Sequence, residues 1–229
     1  MLTTKGLPHA EIDPASLSCR QKLFFVLFLL ILLLLSYSNT FDSAWQFDDI
    51  SNISANPHLH LKDFSFSSLQ KTLFAEMRRP GHLYRPVACL TFALNYYFGG
   101  QNVFGYHVVN LAVHFLASLF LFLFIHRTLL LPSLSDRYAV QAYPIAFLAA
   151  VLWAVHPIQT QAVTYIVQRM ASLSGLFYIL SMYGYLRLRQ VPNPRAKALY
   201  LGLCVLGFVL SFGSKENGIL LPVSLFLYE

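Results

Sequence analysis

Charge is scarce in this chain. Asp, Glu, Lys and Arg make up 11% of its 229 residues, less than half of the roughly 25% usual in soluble domains. Cysteine is scarce too. Cys19, Cys89 and Cys204 lie far apart, with no CxxC pair, which excludes a disulfide framework and a cysteine metal site. The net charge of +6 forms no single basic patch, because the basic residues sit in small groups at the ends of apolar runs; nucleic acid is therefore excluded as a partner. What is abundant is apolar surface: 56% hydrophobic residues, 20 Phe, 13 Tyr and a mean hydropathy of +0.55. A soluble globular domain and a disordered chain are both ruled out. The fold class expected is all-α, a polytopic transmembrane helical bundle with the lipid bilayer as its first partner.

Residues 1–20 read as a short polar tail. Arg20 and Lys22 then precede thirteen uninterrupted apolar residues, Leu23–Leu35. The exit Ser36-Tyr37-Ser38-Asn39 lacks a clean small-x-small cleavage site, so this run reads as a signal anchor that stays in the membrane as the first span. Residues 38–102 form the first external loop. Five acids (Asp42, Asp48, Asp49, Asp63, Glu76) and five bases (Lys62, Lys71, Arg78, Arg79, Arg85) cancel there. Within it, Leu69, Leu73, Phe74 and Met77 give Phe66–Met77 one apolar helical face, suited to lying on a bilayer surface. Val87–Phe98 is apolar but too short to span, which makes it interfacial or re-entrant. Further spans are expected at Val103–Ile125, Tyr143–Val155, Ala171–Leu186 and Ala198–Phe212, and Ile219 opens a sixth that residue 229 cuts off. The expectation is thus five complete spans plus a truncated sixth, without a convincing small-xxx-small pattern in any of them.

Lys and Arg set the orientation. A cytoplasmic N-terminus puts Lys5, Arg20, Lys22, Arg127, Arg137, Arg187, Arg189, Arg195 and Lys197 inside. Setting aside the long first loop, whose length lets it cross regardless of charge, only Arg169 and Lys215 remain outside. The conspicuous polar groups then collect at the outer boundary: Asp48-Asp49, His82, Tyr84-Arg85-Pro86, His156-Pro157, Arg169 and Ser214-Lys215-Glu216-Asn217.

Each group has a plain reading and a chemical one. Adjacent carboxylates are usually solvated loop residues, but two that repel can leave one with a raised pKa, fit to act as a base. Arg85 is either a snorkelling interface residue or a phosphate contact. His107, Asn110 and His114 share one helical face and serve either interhelical hydrogen bonding or a function. His58 and His60 form HxH without a third ligand at suitable spacing, so no metal residues are assigned. Asn52-Ile53-Ser54 is a glycosylation sequon, relevant in a eukaryotic secretory setting.

The motifs also carry a resemblance through their order. Phe47-Asp48-Asp49, Asn56-Pro57, Tyr84-Arg85-Pro86, the Leu90–Tyr96 stretch, Gly99-Gly100, Gly105-Tyr106-His107, Asn110 and His114 are followed by His156-Pro157-Ile158-Gln159-Thr160, Gln168-Arg169-Met170 and Ser214–Ile219. Over residues 36–229 this series resembles the membrane module of the TMTC family, the transmembrane and tetratricopeptide-repeat O-mannosyltransferases, and its bacterial relatives among the GT-C glycosyltransferases. The resemblance implies transfer of a sugar, mannose in the family, from a polyprenyl-phosphate donor to an acceptor protein or glycan on the outer or lumenal face. It implies Asp48 or Asp49 as the base. It implies Arg85, Arg169 and Lys215 with Glu216 near the lipid phosphate, and His107 and His156 along the donor pocket. No cofactor is implied beyond the donor substrate, and a divalent metal is left open. The glutamine-rich variant at Gln159 and Gln168 looks bacterial, which favours a bacterial inner membrane, with the endoplasmic reticulum membrane as the eukaryotic alternative.

Two departures stand out. Gln161 replaces a Glu common after the His-Pro motif. The family module also continues through further spans and repeats, so residues 21–229 read as its N-terminal portion. The competing functions are a truncated or non-catalytic membrane protein that keeps the motifs, and a lipid carrier, whose site would lie near midplane between broken helices.

Overall fold

The computed structural model describes residues 17–76 and 81–229. Most of the expected tail at 1–20 and Met77 of the expected surface helix lie outside these residues. Among the described residues the chain is helical throughout. Helix α1 (Cys19–Ser36) starts at a reciprocal cap: Ser18 Oγ accepts from the Gln21 amide, and Gln21 Oε1 accepts from the Ser18 amide, the arrangement that satisfies two orphan donors at once. The segment that follows α1 holds a one-turn π-helix at Ile50–Ser54, then α2 (Phe66–Leu73) and α3 (Pro86–Gly99). The remaining helices are α4 (Val103–Leu129), α5 (Pro132–Tyr138), α6 (Ala142–Val155), α7 (Gln159–Thr164), α8 (Arg169–Gln190), α9 (Pro194–Ser214) and α10 (Leu221–Tyr228). Asn102 and Asn193 cap α4 and α9 through their side chains, and Pro157 stops α6 two residues past its end.

The expected count of five spans and a truncated sixth is corrected. Among the described residues three helices, α1, α4 and α9, are long and apolar enough to cross a membrane, or four if α5 and α6, which meet at 96°, form one broken span. Helix α6 alone has 14 residues, about 21 Å at 1.5 Å per residue, short of a ~30 Å hydrocarbon core. Helix α10 has only eight. Helix α8 has 22 residues but lacks the composition, because it packs on α4 and α9 at once. Protein neighbours let it carry Ser, Gly, Tyr and Arg where lipid would demand Leu.

Helix α4 is the axis of the bundle. Its buried face runs from Tyr106 through His107, Asn110, His114, Ala117 and Phe122 to His126. Helix α6 approaches it on a stripe of fully buried alanines, Ala142, Ala146, Ala150 and Ala154, whose small side chains permit close backbone approach. Helices α8 and α9 do the same with Ser174, Ser181 and Gly184 against Cys204, Gly207 and Ser211. Ser174 and Ser211 hydrogen-bond across this contact, and Ser181 Oγ donates to the Cys204 carbonyl at 2.7 Å. A Cβ on Gly207 would fall 2.9 Å from the Phe177 oxygen. The small-residue pattern expected to be absent is therefore the α8–α9 interface itself, with Gly207 and Ser211 four residues apart. The outward faces of α1 and α9 leave Leu23, Phe24, Ile31, Leu35, Leu199, Val205, Val209 and Phe212 exposed. A continuous apolar surface of this kind suits lipid, not water.

Chain direction brings the same ends together. Arg169, opening α8, bonds to Tyr106 near the start of α4, while Gln190, closing α8, bonds to Arg127 near the end of α4. Tyr37, just past α1, bonds to Ala154 near the end of α6. The end of α1, the starts of α4 and α8 and the ends of α6 and α9 thus share one pole.

Candidate functional site

That pole holds a cavity of about 540 Å³, lined by polar side chains from five separate stretches. Asp48, Ser51, Asn52 and Asn56 come from the π-helical loop, Glu76 follows α2, Tyr84, Arg85 and Cys89 enter α3, and Gln168, Met170 and Lys215 come from α8 and the turn after α9. Of the residues singled out in the sequence, Asp48, Arg85 and Lys215 line it together. Glu216 joins them through a two-pronged ion pair: Arg85 Nε donates to Oε1 at 3.0 Å and Nη2 to Oε2 at 2.9 Å. Arg85 also places a third donor 3.1 Å from Met170 Sδ and lies over the Tyr84 ring.

Burial works against the Arg85 charge, but the bonds to Glu216 and the surrounding groups together outweigh it, and the guanidinium pKa is raised. The same bonds hold the Glu216 carboxyl below the usual range. Burial pushes the Cys89 thiol up to about 12, and its sulfur donates to the Tyr84 carbonyl, so it contributes a neutral wall and not a thiolate nucleophile.

The backbone is strained at this cavity. Among the described residues the non-glycine residues with positive φ are Phe47, at 39°, and Arg85, at 42°. Left-handed backbone is uncommon outside glycine, and strain of this kind collects where a site over-determines it. Phe47 immediately precedes the Asp pair. Arg85 precedes Pro86, which begins α3.

The two aspartates have separate tasks. Asp48 is exposed to the cavity, with its amide donating to Tyr165 Oη at 2.9 Å. Asp49 is buried, and its oxygens accept from the Val167 and Gln46 amides at 2.7 and 3.2 Å. It ties the first loop to the turn before α8. Its pKa is raised by burial, against the lowering effect of those amides and of His107. Desolvation, and not repulsion within the pair, is the cause of the raised value.

Three expected site residues lie elsewhere. Arg169 is fully buried behind the cavity, where Nε donates to Asn110 Oδ1 and Nη1 to Asn95 Oδ1, both at 2.6 Å, and Nη2 to the Tyr106 carbonyl at 2.8 Å. Its donors are spent on the fold. His107 is buried, with Nε2 3.0 Å from the Ser43 carbonyl. His156 is exposed and accepts from the Ile158 amide, away from the cavity lining. His114 binds the Ala154 carbonyl, so the α4 polar face serves interhelical bonding. His60 stacks on Tyr96 and binds the Ser54 carbonyl, and among the described residues no three His, Cys, Asp or Glu gather into a metal site. The sequence reading passed over Asn52, Asn56, Tyr84 and Gln168 as lining residues. Asn52 was visible only as a sequon; its amide donates to the Asp48 carbonyl at 2.9 Å.

No protein-family model and no solved structure matches the chain. Curated proteins do. It is 29% identical to protein O-mannosyl-transferase Tmtc3 of Drosophila melanogaster over 96% of this chain and 25% of that protein. It is 30% identical to human protein O-mannosyl-transferase TMTC3 over 84% of this chain and 20% of that protein. It is 30% identical to human protein O-mannosyl-transferase TMTC4 over 80% of this chain and 26% of that protein. The chain spans about a quarter of the length of these relatives. With the relationship covering most of its own length and its motifs meeting at one pole, the chain is a TMTC-like membrane module.

Proposed function

We propose that this module binds a polyprenyl-phosphate sugar, mannose by relationship, and transfers the sugar to a protein hydroxyl in the manner of a GT-C glycosyltransferase. The observation that carries this reading is the placement of Lys215. It lines the polar cavity and also a mainly apolar groove of about 370 Å³, formed with Ala171, Ser174, Gly175, Tyr178, Ile179, Asn217 and Leu220. Two compartments of opposite character sharing one cation suit an amphiphile with its anionic group at the junction. The groove takes the first isoprene units, and the cavity takes phosphate and sugar.

In the proposed reaction Asp48 accepts the proton of the acceptor hydroxyl as its oxygen attacks the anomeric carbon. The bond from that carbon to the phosphate oxygen breaks, and the lipid phosphate leaves with the electron pair. Arg85 and Lys215 stabilise the leaving charge, which is where fixed cations act most strongly. Asp49 and Arg169 hold the loops that carry these groups. The reading places the cavity on the outer or lumenal side and the N-terminus in the cytoplasm, in agreement with the Lys and Arg distribution.

The test is transfer from a labelled polyprenyl-phosphate mannose by the full chain in liposomes. Asp48→Asn should lower the rate by at least the ~10²-fold typical of losing a general base. Unchanged transfer in Asp48→Asn refutes the assignment.

A further inference from the structure

The Arg85–Glu216 pair spans 131 positions in sequence and closes the cavity wall between α3 and the turn after α9. Its geometry is that of anion recognition: a planar guanidinium fork facing two oxygens at 3.0 and 2.9 Å, the match that also suits phosphate. The partners differ in exposure. The Arg85 side chain is 23% exposed and that of Glu216 is 61% exposed. The cation is built into the wall, while the anion reaches it from water.

Three further observations separate this pair from an ordinary surface bridge. Arg85 holds its fork from a strained left-handed backbone before Pro86. The adjacent Lys215 lines the same cavity, yet its ammonium makes no hydrogen bond or ion pair among the described residues. The turn backbone is clamped, since a Cβ on Gly218 would fall 2.5 Å from the Phe212 nitrogen. Glu216 can therefore leave by rotating its side chain, without moving the loop.

Resting on the donor-binding reading above, we infer that Glu216 is an intramolecular stand-in for the ligand's phosphate. A phosphate monoester or diester entering the cavity displaces the Glu216 carboxylate from Arg85 and takes its place on the fork. The fork and Lys215 together then hold the anion, and the released carboxylate returns to water. Glu216, 61% exposed, regains water when it leaves, so a phosphate that keeps the Arg85 fork paired and gains a second cation in Lys215 wins the exchange. In the empty site the arrangement keeps Arg85 paired and in position; in the occupied site Glu216 lowers affinity by competing for the same donors, which eases release of the spent lipid phosphate.

The experiment measures binding to the detergent-solubilised full chain with three probes: farnesyl phosphate, farnesol and inorganic phosphate. Wild type is compared with Glu216→Gln, Arg85→Gln and the double variant, with a thermal midpoint recorded for each. Glu216→Gln should bind farnesyl phosphate about fivefold more tightly, the scale of removing one exposed bridge. Arg85→Gln should bind it at least ~10-fold more weakly, and Glu216→Gln should add nothing in the Arg85→Gln background. Farnesol binding should be the same in all four proteins. Equal or weaker binding by Glu216→Gln, or its failure to fold, overturns the stand-in role while the loss in Arg85→Gln keeps the anion site. A gain that persists without Arg85 overturns direct exchange in favour of general repulsion. Unchanged binding in Arg85→Gln overturns the site and the inference together. Inorganic phosphate binding as tightly as farnesyl phosphate identifies a free anion, and not a lipid headgroup, as the occupant that Glu216 imitates.

Discussion

Arg169 Nε donates to Asn110 Oδ1 at 2.6 Å, joining the first turn of α8 to the second turn of α4. The remaining donors reach Asn95 Oδ1, the Tyr106 carbonyl and, at 3.4 Å, the Thr91 carbonyl, while the guanidinium lies over the Phe92 and Tyr106 rings. No carboxylate joins this network among the described residues, so neutral acceptors and two aromatic faces carry a fully buried charge. Desolvating a charge is costly without such complete satisfaction. Arg169→Lys keeps the charge but has no fork, and it leaves several acceptors unpaired at about 1–3 kcal/mol each. The expected result is a large fall in the thermal midpoint in detergent, or loss of folded protein, with no rescue by lysine.

The α8–α9 contact gives a prediction with an internal control. A Cβ at Gly207 meets the Phe177 oxygen and Ser181 Cβ at 2.9 Å, whereas a Cβ at Gly202, on the same helix, meets nothing within 4 Å. Gly207→Ala should cost about 1–3 kcal/mol through overpacking. Gly202→Ala should be neutral or slightly stabilising, since alanine is the better helix former. Thermal midpoints of the two variants test this, and equal midpoints would refute the close packing of these helices.

The Asp48–Asp49 step separates activity from stability. Asp49→Ala leaves the buried amides of Val167 and Gln46 without acceptors, so it should destabilise by about 1–3 kcal/mol. Asp48→Asn alters an exposed side chain and should leave stability within about 0.5 kcal/mol of wild type while lowering transfer at least ~10²-fold. Measuring both quantities on both variants distinguishes an anchor from a base, which a transfer assay alone does not.

How much of this was legible in the sequence follows from what each signal encodes. Apolar runs mark lipid contact, so α1, α4 and α9 stood out. Helix α8 reads as a span over Ala171–Leu186, but its 22 residues do not have the composition of a lipid-facing span, because α4 and α9 cover it. Motif order pointed to the pole where Asp48, Arg85 and Lys215 meet. It did not separate residues that face the cavity from those that build its walls. Arg169 and Arg85 look alike as arginines beside apolar runs; only the packing of Asn95, Asn110 and Tyr106 around one of them shows that it faces inward. The small residues Ser181, Gly184, Gly207 and Ser211 were equally visible, but they lie on two helices, and their role appears only when the helices are paired.

The raised pKa of Asp49 predicts a pH dependence of definite sign. Burial favours the neutral carboxyl in the folded protein, more than the Val167 and Gln46 amides and His107 favour the anion. Between the ordinary Asp value, about 3.9, and the raised folded value, the folded state binds more protons than the unfolded state, so this group's contribution to stability falls as pH rises through that window. Above the window the contribution is constant. Asp49→Asn has no such titration, and comparing it with wild type cancels the carboxylates that both share. The stability of wild type relative to Asp49→Asn should therefore be greater near pH 4 than at pH 7, and level above the window. Unfolding midpoints of both proteins across that range measure the difference. A difference that grows with rising pH would mean that the amides, and not burial, set the charge state of Asp49, and that the carboxylate anchors the loop as a stabilised anion.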